Sequence, residues 1–122
     1  MEWLYYKGGV NLKVNIVAEI PARAGSKRVK NKNLRLLNGK PMISYVIEEA
    51  QKSKLLTSVY VNSDCDEIGK HAKSLGAQFY KRPNELGSDY TTSDEYNYDF
   101  IKSIEPDILV QINPVCPLIS VS

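Results

Sequence analysis

The chain has 122 residues, 43% hydrophobic and 25% charged, values of a single globular domain large enough to bury a core. It contains no apolar run of the length a membrane span needs, and its start lacks the basic-then-apolar layout of a secretory leader. Its two cysteines, Cys65 and Cys116, fall outside any metal-type spacing. The expectation is therefore a reducing, cytoplasmic setting without a disulfide framework, zinc site or membrane partner. The net charge of +2 hides an asymmetry: residues 21–40 hold seven Lys/Arg and no acid, whereas the rest holds nine Lys/Arg against fourteen acids.

In chain order, residues 1–12 are the least legible. Trp3, Leu4, Tyr5 and Tyr6 suit a short strand that Gly8-Gly9 breaks, and no function is assigned to it. Residues 14–20 read as a buried strand through Val14, Ile16, Val17, Ala18 and Ile20. It runs into Pro21-Ala22-Arg23-Ala24-Gly25-Ser26-Lys27-Arg28, where Gly25 permits backbone conformations that gather N–H groups into one concavity. Arg23 offers a planar fork of donors and Lys27 a mobile point charge, a pairing that suits a triphosphate. A solvated basic loop is the alternative for any such cluster, but ligands of open α/β sheets sit beyond the carboxyl ends of strands, where this loop lies.

Pro41 suits the first turn of a helix carrying Ile43, Val46, Ile47 and Ala50 at helical spacing, ending near residues 52–54. A strand near residues 58–62 leads to Asn62-Ser63-Asp64, where Asp64 is expected to cap a helix, with Glu67 completing a capping box and Ile68, Ala72 and Leu75 buried. His71 lies beside that stripe as a surface or half-buried residue. Gly76-Ala77 ends the helix before a third strand at residues 77–81. Ser93 before Asp94-Glu95 reads as a helix start, with Tyr96, Phe100 and Ile104 on its apolar face, and Tyr90 and Tyr98 read as packing or surface residues. Residues 107–113 form a fourth strand, continuous in apolar character as a central parallel strand would be.

Several of these segments resemble one family. Ile20-Pro21-Ala22-Arg23-Ala24-Gly25-Ser26-Lys27, then Lys32-Asn33-Leu34 and Asn38-Gly39-Lys40-Pro41-Met42-Ile43, is similar to the opening of the acylneuraminate (CMP-sialic acid) cytidylyltransferases. The 3-deoxy-manno-octulosonate cytidylyltransferases open similarly, but Ser26-Lys27 and Lys32-Asn33 fit the sialic acid branch better. Neither a Walker A loop nor a Gly-x-Gly-x-x-Gly fingerprint occurs. Arg82-Pro83-Asn84-Glu85-Leu86 matches the family's Arg-Pro-x-Glu-Leu, and Ser88 to Ser93 stands where the family has a hydroxyl-rich loop. Asn113-Pro114-Val115-Cys116-Pro117-Leu118-Ile119 departs from the family's Gln-Pro-Thr-Ser-Pro-Leu-Arg, which points to an acidic or amino sugar other than sialic acid.

The resemblance covers residues 13–119 and implies a three-layer α/β, Rossmann-like nucleotide-diphospho-sugar transferase fold. Parallel strands in the order 3-2-1-4 place the first strand beside the fourth at the switch point. It further implies the amino-terminal half of an enzyme, cut off after the fourth strand, that transfers CMP from CTP to an acidic sugar and releases pyrophosphate. Arg23 and Lys27 would be the catalytic charges. Ala22, Gly25, Ser26, Lys32 and Asn33 would join them around the triphosphate, with Ser88, Thr92 or Ser93 near the nucleoside and Asn113 on the sugar side. Capping remains the alternative for Ser93, as for Asp64. Mg2+ is implied, its main carboxylates expected outside this chain, since Asp64 and Asp89 are the only candidates near the crevice. A homo-oligomer is expected, because the fourth strand is left with an open edge. A nucleotide-binding or assembly module without chemistry is the second reading. Nucleic-acid binding is disfavoured by the acidic body and the lack of aromatics within the basic loop.

Overall fold

The structure, a computed structural model, describes residues 4–7, 10–23, 32–83, 86 and 93–114, with the backbone alone for 4–7, 10–13, 32 and 93. At the amino end, β1 (Leu4–Lys7) and β2 (Val10–Lys13) pair antiparallel with Lys7 opposite Val10. Gly8-Gly9 therefore separates the two arms of a hairpin where the sequence suggested one broken strand; a Gly pair between two short strands is itself a hairpin signal.

The sheet that matters starts with β3 (Ile16–Pro21). After a 3-10 turn at Lys32–Leu34, the two-residue strands β4 (Leu36–Leu37) and β5 (Lys40–Pro41) form a second small hairpin. Asn38 and Gly39 between them both have positive φ, 54° and 78°, the conformation of a type I′ turn and the reason Asn-Gly is favoured there. The basic stretch is thus not one continuous loop. Lys40 pairs with Glu48 and lies 4.8 Å from the centre of the Tyr45 ring, which commits its charge to the next helix.

Helix α1 (Met42–Gln51) follows, with Pro41 as its N-cap residue. Then come β6 (Ser58–Ser63), α2 (Asp66–Ser74), β7 (Gln78–Lys81), α3 (Ser93–Ile104) and β8 (Ile108–Gln111). The four longer strands are parallel in the order β7-β6-β3-β8, which is the expected 3-2-1-4. Helices α1 and α2, in the crossovers that step one way, lie on one face. Helix α3, in the crossover that steps back, lies on the other, as a uniform handedness of crossover requires.

Alternation of side chains along the strands divides them between the two faces. Ala18, Ile20, Val59 and Val61 pack with Ile43, Val46, Ile47 and Ala50 of α1 and Ile68 and Ala72 of α2. On the α3 face the fully buried Phe100 meets the rings of Tyr60 and Tyr80 edge-on, at centroid distances of 5.6 and 5.3 Å, the geometry favoured by the aromatic quadrupole. Tyr98 points outward, 67% exposed.

One sequence expectation is corrected. The N-cap of α2 is Cys65, in extended conformation and without a side-chain cap bond, so Asp64 and Glu67 form no capping box. Upstream, the Ser63 hydroxyl already accepts the Cys65 N–H at 3.0 Å, and the Asp64 carbonyl accepts a bond from Lys81 Nζ. This moves the helix start one residue on and leaves Asp66 and Glu67 in the first turn to complement the dipole. As the order 3-2-1-4 requires, β8 is an edge strand of the described sheet, with Ile108 and Val110 42% and 37% exposed.

Gly69 shows how tightly α2 sits on β7: a Cβ there would fall 2.3 Å from the Phe79 ring. Gly69→Ala is expected to destabilise the fold by about 1–3 kcal/mol through overpacking, read by chemical denaturation. Phe79→Leu in the same chain should recover part of that loss, and no loss in the single variant would refute the contact.

Candidate functional site

At the carboxyl ends of the parallel strands, β3 and β8 are neighbours although the helix that leaves β3 and the helix that enters β8 lie on opposite faces, the switch point at which open α/β sheets have a crevice. The backbone frame is set from β6. The Asn62 carbonyl accepts the Ala22 N–H at 2.9 Å, Ser63 O accepts the Arg82 N–H at 2.7 Å, and Glu19 O accepts the Ile112 N–H at 2.9 Å. The buried Asn33 amide donates to the Arg23 carbonyl at 3.3 Å, so the 3-10 turn is tied back to the end of β3.

Beneath this frame, on the α3 face, each of the four strand tracks supplies one polar side chain. Glu19 on β3 is fully buried. Its Oε2 accepts from Asn62 Nδ2 at 2.7 Å and its Oε1 from Gln111 Nε2 at 3.4 Å. Asn62 Oδ1 in turn accepts from Arg82 Nε at 3.1 Å, and the Asn62 carbonyl from Arg82 Nη2 at 2.9 Å. Arg82, only 3% exposed, lies over the Tyr96 ring at 4.3 Å, and Gln111 also donates to Asn97 of α3 at 2.8 Å. One step nearer the amino ends of the strands, the same face carries the apolar Tyr60, Tyr80 and Phe100 cluster. The change from apolar to polar rung marks where the core ends and the crevice begins.

The electrostatics follow from burial. Removal from water pushes the Glu19 carboxyl above its ordinary value, against the opposing hydrogen bonds from Asn62 and Gln111 and the charge of Arg82. Burial also lowers the Arg82 guanidinium; Tyr96, Asp64 and Glu19 act against this, whereas the like charge of Arg23 adds to it. The charges of Arg23 and Arg82 thus act on one another at the strand ends, with the Asp64 and Glu19 carboxylates as the opposing charges.

Of the residues singled out from sequence, Ala22 (buried), Arg23 (half-buried), Asn33 (buried) and Asn113 (exposed) all lie at this end of the sheet. Lys32 and Ser93 are described by backbone alone, at the 3-10 turn and the first residue of α3. Gly25, Ser26, Lys27, Ser88 and Thr92 lie outside the described residues, as do Asp89, Tyr90, Val115, Cys116 and Ile119. His71 is half-buried and hydrogen-bonded to Ser44, on the faces of α2 and α1. Sequence reasoning passed over Glu19, although one acid inside the otherwise apolar Ile16-Val17-Ala18-Glu19-Ile20 was a usable signal: acids are almost never fully buried without a partner. Among the described residues no group of three or more His, Cys, Asp or Glu side chains could hold a metal ion, and no helix is long and apolar enough to cross a membrane.

A family model described as cytidylyltransferase matches residues 17–122, which include all but the first residue of the parallel sheet. The chain belongs to the cytidylyltransferase family. It is 42% identical over 91 residues to an N-acylneuraminate cytidylyltransferase of Escherichia coli O18:K1:H7, covering 75% of this chain and 21% of that protein. It is 47% identical over 77 residues to a CMP-N,N'-diacetyllegionaminic acid synthase of Campylobacter jejuni, covering 62% of this chain and 33% of that one. Among solved structures, a CMP:2-keto-3-deoxy-manno-octonic acid synthetase complexed with CTP superposes with a TM-score of 0.77 at 27% identity, over 87% of this chain and 42% of the other. The chain thus spans between about a fifth and two-fifths of the length of these cytidylyltransferases.

The raised Glu19 carboxyl gives a pH signature. Between the ordinary carboxyl value of 4.5 and its own higher value, the folded chain binds a proton at Glu19 that the unfolded chain does not. The contribution of Glu19 to stability therefore falls as pH rises through that window. Glu19→Gln is expected to flatten this part of the curve of unfolding free energy against pH. An unchanged slope would show that the carboxyl titrates alike in both states.

Proposed function

We propose that this chain forms the nucleotide-binding part of a cytidylyltransferase that transfers CMP from CTP to an acidic sugar of the nonulosonic or octulosonic type. The observation that carries the reading is the switch point between β3 and β8, where Pro21-Ala22-Arg23 ends β3 and the Arg23 charge is close enough to act on Arg82 beyond β6, within a chain whose family and neighbours are cytidylyltransferases. The anomeric hydroxyl of the sugar attacks the α-phosphorus of CTP in line. The bond from that phosphorus to the bridging oxygen breaks, pyrophosphate departs with the bonding electron pair, and the proton of the attacking hydroxyl is released to solvent. Such a reaction is catalysed by positioning and charge neutralisation. Arg23 and Lys27 supply the neutralising charge, with Gly25, Ser26, Lys32 and Asn33 completing the triphosphate side. Ser88, Thr92 or Ser93 meets the nucleoside and Asn113 the sugar.

Magnesium belongs to this proposal as the ion that shares the triphosphate charge. The carboxylates among the described residues do not fit it: no three or more His, Cys, Asp or Glu side chains form a group that could hold a metal ion. The same observation favours the second reading, a nucleotide-binding module without chemistry of its own, for the chain as given.

Lys27→Ala is expected to weaken binding of CTP and CDP by about 1.5–3 kcal/mol, the value of a hydrogen bond to a charged group, and to leave cytidine almost unaffected. Titration calorimetry with the three ligands reads the difference, and an equal loss for all three would remove the phosphate assignment. With CTP, magnesium and a panel of acidic sugars, the chain as given is expected to release no pyrophosphate; measurable release would reject the module reading.

Homo-oligomerisation is proposed from the apolar edge of β8, since unpaired strand edges template pairing with another chain. Sedimentation at increasing concentration should show association, and a monomer throughout would count against it.

A further inference from the structure

The polar row under the crevice contains a relay whose sense is set at one end. An ionised carboxylate only accepts hydrogen bonds, whereas an Asn side chain has one donating and one accepting end. Asn62 gives Nδ2 to Glu19 and offers Oδ1 to Arg82 Nε, at 2.7 and 3.1 Å. With its amide turned over, oxygen would face carboxylate and N–H would face N–H, so the carboxylate below and the guanidinium above admit one orientation. Glu19 and Asn62 are both fully buried, so water cannot take over either role. A buried acid is costly, and the apolar rung of this face is already built by Tyr60, Tyr80 and Phe100. Arg82, at the other end of the relay, has its guanidinium over the Tyr96 ring and feels the like charge of Arg23.

We propose that Glu19 is a positioning residue of the nucleotide site, which acts through the Asn62 amide to hold the Arg82 guanidinium at the crevice. This rests on the nucleotidyl-transfer reading for what the crevice binds. The feature that matters is an acceptor at position 19. Glu19→Leu keeps the bulk but leaves Asn62 Nδ2 without a partner, so the amide leaves its place and Arg82 loses its Nε acceptor. Glu19→Gln, whose amide oxygen can accept the same N–H, keeps the relay.

The test is a double-mutant cycle on CTP affinity, with the Arg82 Nε–H resonance followed by NMR. Glu19→Leu is expected to weaken CTP binding about 10-fold and to speed exchange of the Arg82 Nε–H with solvent. Glu19→Gln is expected to stay within about 3-fold of the parent with the resonance still protected. In an Arg82→Ala chain, Glu19→Leu is expected to cost nothing further, which a general loosening of the fold would not reproduce. A loss that persists undiminished in the Arg82→Ala chain, or Leu and Gln variants that bind alike, overturns the proposal. If Glu19→Leu does not fold, Asn62→Leu, which cuts the relay one link on, is read in its place by the same criteria. Failure of the parent chain to bind CTP would instead count against the nucleotide reading, and the Nε–H exchange would still decide whether Glu19 holds Arg82.

Discussion

The amide of Asn62 is the joint on which this end of the molecule depends. Its side chain connects a buried acid on β3 with a buried base at the end of β7, and its backbone carbonyl receives both the Ala22 N–H and Arg82 Nη2. Three strand ends are thus fixed relative to one another through a single residue of β6. The cost of burying Glu19 and Arg82 is met by complete hydrogen bonding: among the described residues no buried side-chain nitrogen or oxygen lacks a partner. A half-satisfied network of this kind would be worse than an apolar filling, so the joint is sensitive to any change that removes one link.

The apolar half of the molecule explains why the joint can be placed so closely. On one face α1 and α2 bury an aliphatic core against β3 and β6; on the other a single helix is anchored by Phe100 between two tyrosines. These contacts fix the strand register, in which Glu19 lies opposite both Tyr60 and Gln111. A slip of one residue in β6 would turn Asn62 to the aliphatic face. Core packing and polar network therefore require the same register.

The parallel order of the sheet was legible because each strand is a short apolar run separated from the next by a helical pattern, with Ala22-Arg23 and Asn113-Pro114 at matching ends. Errors arose where short-range signals compete. Asp64 and Ser63 both offer a side-chain oxygen near the start of α2, and only the folded geometry shows that the serine takes the nearby N–H while Cys65 occupies the cap position. The Asn38-Gly39 turn was visible as a motif, but its two-residue arms are too short to register as strands by periodicity. The least legible part was the polar row. Glu19 was lost within an apolar strand, Asn62 looked like loop chemistry, and Arg82 appeared only as part of a family motif. No periodicity links residues that lie 43 and 20 positions apart. Their association is a property of the sheet, not of any one segment.

The position of β3 at the centre of the sheet also bears on how the chain is made. It is the earliest of the four parallel strands in sequence, yet its neighbours arrive late: Glu19 is separated by 43 residues from Asn62 and by 92 from Gln111. At about 5–20 residues per second of synthesis, the second flank of β3 stays uncovered for roughly 5–18 seconds after the strand itself is made. During that interval an almost wholly apolar segment has unpaired backbone on at least one side, the condition under which nascent chains stick to one another. The basic stretch of residues 21–40, which follows directly and contains no acid, places like charges beside the vulnerable strand at that stage. Such like charges can keep neighbouring nascent chains apart.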